Sequence, residues 1–106
     1  MNKQKRKEKV STLGVIAISK NEEQDMPGFL LHLWDWVDEI VIIDDCSADK
    51  TTEIVRLLTP EAKLITNKMD PDEGFAGQRN KGIEAATSEW LLHMDIDERV
   101  TGELAT

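Results

Sequence analysis

Cysteine is nearly absent from this sequence: Cys46 is the only one among 106 residues. A lone thiol cannot close an internal disulfide or supply the several thiolates of a structural zinc site, and it fits a reducing compartment. Long apolar runs are missing as well. No segment approaches the roughly 20 apolar residues that span a bilayer, and the apolar start "VSTLGVIAIS" runs into "KNEEQD" where a secretory cleavage site would have to stand. Aromatic residues are few, and Trp34, Trp36 and Trp90 are too dispersed to form a stacking platform for single-stranded nucleic acid. Basic charge is scarce beyond the start. "MNKQKRKEK" holds five basic residues and one acidic, so of the formal net charge of -8 the remainder of the chain carries -12. An acidic body repels phosphate backbones, which excludes nucleic acid as the partner of the folded part. Residues 1–10 are read as a basic disordered leader able to touch anionic lipid, and the expected location is cytoplasmic, peripheral at the inner face of the membrane.

What remains is a globular balance of 40 % hydrophobic and 32 % charged residues, enough for one domain. The segment "STLGVIAIS" reads as a strand covered on both faces of a parallel sheet. After the break at "KNEEQDMP", the segment "GFLLHLWDWVDEI" places Leu30, Leu33, Trp34 and Val37 at helical spacing, with Pro27 in a first turn. A second strand, "EIVIID", ends on Asp44 and Asp45. Asp49 is expected to cap the next helix, whose apolar stripe is Ile54, Val55, Leu57 and Leu58. "AKLIT" is a third strand, "FAGQRNKGIEAAT" a weak helix burdened by Gly77 and Gly82, and "EWLLHM" a fourth strand. This alternation predicts an α/β fold in three layers with a mostly parallel sheet. With strand four beside strand one, the order is 3-2-1-4, and ligands bind outside the strands' carboxyl ends where that order reverses.

Several constellations fall on that edge. Asp95 and Asp97 follow the fourth strand one residue apart, and in an extended backbone both carboxylates share a face. A hard divalent cation needs such an oxygen pair, and a diphosphate supplies further oxygens. Glu98 reads better as a helix-start residue than as a ligand. Asp44 and Asp45 exceed what one cap requires, and Asp45 is a candidate acceptor for a nucleobase N–H or ribose hydroxyl. Asn21, Glu22 and Glu23 form either a solvated turn or one wall of the same site. Arg79 and Asn80, in the first turns of the third helix, would make a phosphate cradle with the helix-start amides. The two glycines there imply close approach to a ligand or to the sheet. His32 and His93 read as packed residues, and Cys46 as a small packed residue rather than a nucleophile.

At "LGVIAISKNEE", "DEIVIIDDCSADKTTEIV", "GFAGQRNKGI" and "EWLLHMDIDERV" the sequence resembles the inverting glycosyltransferases of family 2, with the GT-A fold. It looks closest to the lipopolysaccharide core branch, with its asparagine and two glutamates after strand one and its "AGQRN" segment. The resemblance implies that Asn21, Glu22, Glu23 and Asp45 line the nucleobase pocket and that Arg79 lies near the nucleotide. It makes Asp95 and Asp97 the acidic pair that binds Mg²⁺ or Mn²⁺ with a nucleotide-diphosphate sugar. Where many relatives have glycine, this chain has Cys46. Family members continue into an acceptor-binding half that carries the general base. Residues 11–106 are therefore expected to be the truncated, nucleotide-sugar-binding half of a glycosyltransferase, without its own catalytic base, serving a glycan or lipid-linked acceptor in the parent enzyme.

Other readings compete. A phosphatase of the haloacid dehalogenase type also places two aspartates one apart after a strand, but on its first strand and with threonine or valine where Arg99 stands. A dinucleotide-binding domain wants glycines where "SKNEEQDMPG" has carboxylates. A non-catalytic nucleotide-binding or interaction module is the main alternative. Strand four, as a sheet edge, invites self-association.

Overall fold

The computed structural model describes residues 11–100; the expected basic leader lies outside the described residues. The elements are β1 (Leu13–Ser19), α1 (Met26–Leu33), β2 (Glu39–Asp44), α2 (Thr51–Leu58), β3 (Lys63–Thr66), α3 (Gly74–Ala85) and β4 (Trp90–His93). All strand pairings are parallel and the order is β3-β2-β1-β4, as the alternation of apolar runs predicts.

Side chains alternate across the sheet and build two cores. Val15, Ala17, Ile40 and Ile42 meet Met26, Phe29, Leu30 and Leu33 of α1 and Val55 of α2. Ile16, Val41 and Ile43 face the other way, towards α3 and the chain after it. The glycine burden of α3 is explained here for Gly82. A Cβ on Gly82 would lie 2.6 Å from Ile43 Cδ1 and 2.7 Å from Ile16 Cγ2, so only glycine lets the helix axis come this close to the sheet.

Register positions the functional edge. β1 and β2 end level, with Ser19 opposite Asp44, but β4 leaves the ladder at His93, opposite Ile16. A step is left beside Ile18 and Ser19, and the chain after β4 turns into it. Met94 and Ile96 are buried there, which anchors the turn in the core under α1.

Some local expectations are corrected. Helix α1 stops at Leu33, so Trp34 is its cap and faces outward. Helix α2 has only eight residues and packs through Ile54 and Val55, whereas Leu57 and Leu58, expected in the same stripe, are exposed. Asp49 does not cap α2: the cap position is Lys50, and the Asp49 carboxylate instead accepts the N–H and hydroxyl of Thr51 in a turn just before the helix. β4 is an edge strand with all four residues exposed. Among the described residues no helix is long and apolar enough to cross a membrane.

Candidate functional site

The loops after β1 and β2 are laced together. Asp44 is fully buried; its carboxylate accepts the hydroxyls of Ser19 and Ser47, both at 2.6 Å, and the Ser47 N–H at 2.8 Å. Asn21, in the left-handed region at φ 52°, donates its N–H to Ser47 Oγ, and its side-chain oxygen accepts the Ala48 N–H. The Glu22 N–H reaches Thr51 Oγ1 and the Glu23 N–H reaches Asp49 Oδ2. Asp44 is thus a bracket whose acceptors are spent on the fold, and its neighbour Asp45 is the carboxylate left to face the cleft. Asp45 accepts the Met69 N–H at 2.9 Å through Oδ1, while Oδ2 stands 3.5 Å from Lys20 Nζ.

A cleft of about 400 Å³ opens over this edge, lined by Lys20, Glu22, Asp25, Asp45, Asp95 and Asp97, with Ile18, Met69 and Phe75 as its apolar surfaces. Asp95 and Asp97 do not reach it as an extended pair. The chain leaves the strand conformation after His93, and a turn is closed by Glu98 N–H to Asp95 O and by Asp95 N–H to Glu98 Oε1. Ile96 points into the core, so both aspartates still face the cleft, and Glu98 serves the turn. Five carboxylates and one ammonium make the cleft strongly acidic. The Glu22 carboxyl is pushed above its usual range by burial first, then by the charges of Asp25, Asp97, Asp49 and Asp95. Repulsion of this kind is relieved by a cation. Among the described residues no group of three or more His, Cys, Asp or Glu is arranged to hold a metal ion. The donor set fits a divalent cation only as a carboxylate pair completed by a ligand's oxygens.

The residues that line this edge fall within a recognisable sequence pattern: the model of "Glycosyl transferase family 2" matches residues 14–105. The chain belongs to glycosyl transferase family 2. It is 41 % identical over 63 residues to the succinoglycan biosynthesis protein ExoO of Rhizobium meliloti, covering 58 % of this chain and 18 % of that protein. It is 34 % identical over 92 residues to the SPbeta prophage-derived glycosyltransferase SunS of Bacillus subtilis, covering 87 % of this chain and 21 % of that protein. The chain therefore spans about a fifth of the length of these curated relatives. Among solved structures, glucosyl-3-phosphoglycerate synthase from Mycobacterium tuberculosis, in complex with Mn²⁺, UDP and glucosyl-3-phosphoglycerate, superposes with a TM-score of 0.68. The identity is 19 %, over 85 % of this chain and 36 % of that one, a likeness of fold.

Within this family 2 domain, the structure brings Glu22, Asp45, Asp95 and Asp97 to one cleft. Arg79 lines an adjoining pocket of about 350 Å³ with Ile18, Phe75, His93 and Asp95, and its Nε is buried without a hydrogen-bond partner among the described residues. Asn21 and Glu23 line neither space; they hold the loops together. The expected amide cradle is reduced, because the Gly74 and Gly77 N–H groups are taken by the carbonyls of Asp70 and Glu73. His32 is packed, its Nδ1 donating to Phe29 O and its Nε2 accepting the Val100 N–H. Sequence reasoning missed Lys20, Phe75 and Arg99. A cation directly after strand one and an aromatic in the first turn of a glycine-rich helix were the available signals. A second cleft of about 390 Å³ lies at the opposite edge of the sheet, but Glu39 there is already satisfied by Lys63 at 2.7 Å and by Thr87 and Ser88.

Proposed function

We propose that this chain is the donor-binding part of an inverting glycosyltransferase that moves a sugar from a nucleotide-diphosphate sugar to a glycan or lipid-linked acceptor. The observation that carries the reading is the convergence of Glu22, Asp45, Asp95 and Asp97 on one cleft where the strand order reverses. Asp45 accepts from the base or ribose through Oδ2, beside Glu22, and Asn21 and Glu23 fix the loop that carries them. Asp95 and Asp97 hold Mg²⁺ or Mn²⁺. The cation, when bound, offsets the charge of the departing diphosphate. Two carboxylates fill a minority of its roughly six oxygen positions, so the diphosphate completes the shell. Arg79, with an unpartnered donor beside Asp95, reaches the nucleotide from the α3 side. Family membership supports this reading, as does the Mn²⁺ and UDP complex of the structurally similar synthase.

Finer points follow from the resemblance. The acceptor belongs to lipopolysaccharide core assembly, the enzyme works in the cytoplasm at the membrane's inner face, and the base that deprotonates the acceptor lies outside residues 11–106. These residues alone transfer no sugar. The exposed β4, with Trp90 66 % exposed, favours self-association of the isolated chain.

Titration calorimetry with UDP, with and without Mn²⁺, on the wild type and on Asp97→Ala tests the donor site. Binding is expected to tighten with Mn²⁺ in the wild type only. Equal affinity in all four titrations, with both proteins folded by circular dichroism, returns the acidic pair to the solvated surface.

A further inference from the structure

Arg99 lies next to the acidic turn, and among the described residues its donors go to main-chain carbonyls rather than to carboxylates. Its Nη1 donates to Ile96 O at 2.8 Å and to Glu98 O at 2.7 Å, and its Nη2 donates to Asp25 O at 3.2 Å. Two of these carbonyls belong to the turn that presents Asp95 and Asp97. The third belongs to the residue at the start of α1, 74 positions away in sequence. Gly28 leaves room for this guanidinium: a Cβ there would stand 2.8 Å from Nη2. The other fastenings of the turn are the buried Ile96 and the Asp95–Glu98 bracket. Ile96 packs in the core under α1, and the Val100 N–H reaches His32 Nε2 of that helix at 3.2 Å, but among the described residues Arg99 alone ties the carbonyls inside the turn to Asp25 O at the start of α1. Asp25 also lines the cleft.

We propose that Arg99 is a positioning residue, a clamp that fixes the Asp95–Asp97 turn against the start of α1 so that both carboxylates meet a cation–diphosphate together. The role rests on the donor-site reading above. A guanidinium suits it because its planar fork carries five N–H donors at fixed angles, which an ammonium cannot match at three carbonyls. Bonding carbonyls also keeps the positive charge from neutralising the carboxylates that the metal needs. Groups that orient metal ligands typically change metal affinity by about 10- to 100-fold when removed.

The test compares wild type, Arg99→Ala, Arg99→Lys and Gly28→Ala. For each, UDP affinity is measured with and without Mn²⁺, and amide hydrogen exchange at residues 95–100 is measured without metal or nucleotide. In Arg99→Ala the tightening by Mn²⁺ should fall at least about tenfold, metal-free UDP affinity should hold, and the Asp95 and Glu98 amides should exchange faster. Lysine should not restore the tightening. Gly28→Ala covers the case in which Arg99→Ala fails to fold, since alanine favours an exposed helix position. Its Cβ displaces the guanidinium from Asp25 O, so it should lose part of the Mn²⁺ effect while melting no lower than wild type. A wild type that Mn²⁺ does not tighten overturns the donor-site reading and the clamp with it. Tightening retained in both Arg99→Ala and Gly28→Ala, or unchanged exchange in Arg99→Ala, overturns the clamp alone.

Discussion

Replacing Glu39 by glutamine removes the charge that ties three strands together at the edge of the sheet away from the cleft. The Glu39 side chain, 10 % exposed, meets Lys63 Nζ at 2.7 Å and accepts from the N–H and hydroxyl groups of both Thr87 and Ser88. It thereby joins the start of β2 to the start of β3 and to the chain entering β4. Burial alone would raise its pKa, but the hydrogen bonds from Lys63, Ser88 and Thr87 outweigh that and hold it at about 2 against an ordinary 4.5. A difference of about 2.5 units corresponds to a ceiling of roughly 3.4 kcal/mol in favour of the folded state. Lys63 is 41 % exposed, so solvent screens its share and about 2 kcal/mol is the expected contribution. Because the folded-state pKa is lowered, this stability is fully present above pH 4.5 and is lost as pH falls towards about 2. Urea unfolding of wild type and Glu39→Gln should differ by about 2 kcal/mol at pH 7, and the gap should narrow steadily below pH 4.5. A gap that stays constant from neutral pH down to the folded-state pKa refutes the electrostatic account and leaves only packing.

Gly82→Ala should destabilise by about 1 to 2 kcal/mol in the same assay, because overpacking against Ile43 and Ile16 exceeds alanine's helix advantage of about 1 kcal/mol; a stabilised variant would show that α3 slides freely on the sheet. Cys46 sits at φ 48°, in the left-handed region where the resemblance puts glycine, so Cys46→Gly should stabilise by about 0.5 kcal/mol after the entropy of glycine in the unfolded chain is counted. A loss of stability would mean that the exposed thiol contributes packing that its surroundings do not suggest. Asp97→Ala should leave thermal stability near wild type while abolishing the Mn²⁺ effect on UDP binding, as befits an exposed carboxylate whose partner is a ligand.

The strands and their order were legible because four apolar runs bounded by polar segments admit few parallel arrangements, and a buried sheet writes itself as continuous Val, Ile and Leu. Helix margins were less legible. Trp34, Leu57 and Leu58 continue the helical period past the point where α1 and α2 stop touching the sheet, so periodicity alone overstates each stripe. Asp95 and Asp97 were legible as a pair but not as a turn, because the closure depends on Glu98 reaching back to the Asp95 N–H and on Ile96 finding a core that other elements supply. Arg99 was invisible as a clamp for a related reason: one of its acceptors is a backbone carbonyl far away in sequence, and carbonyls leave no mark on a sequence.

The two adjacent aspartates after β2 show where one-dimensional reading runs out. They are chemically identical and both stand at a strand's carboxyl end, yet the fold gives them opposite tasks. Asp44 pairs in register with Ser19 and lies opposite Thr66, so its side chain meets the Ser19 and Ser47 hydroxyls and is fully buried. With three of its roughly four acceptor sites taken by the protein and no exposed surface, Asp44 is out of a ligand's reach. Asp45 lies one residue beyond the ladder and points the other way; among the described residues one of its carboxylate oxygens is approached only by the ammonium of the exposed Lys20. Lys20 at 3.5 Å is loosely held, and an incoming N–H or hydroxyl can share that oxygen without breaking a buried bond. Asp44→Asn should therefore act on stability, through lost charge-assisted hydrogen bonds in the bracket, and Asp45→Asn on nucleotide affinity, with folding left intact. Urea unfolding and UDP calorimetry on the two variants separate these effects. If both substitutions changed the same measurement, the division of labour assigned to this pair would be wrong.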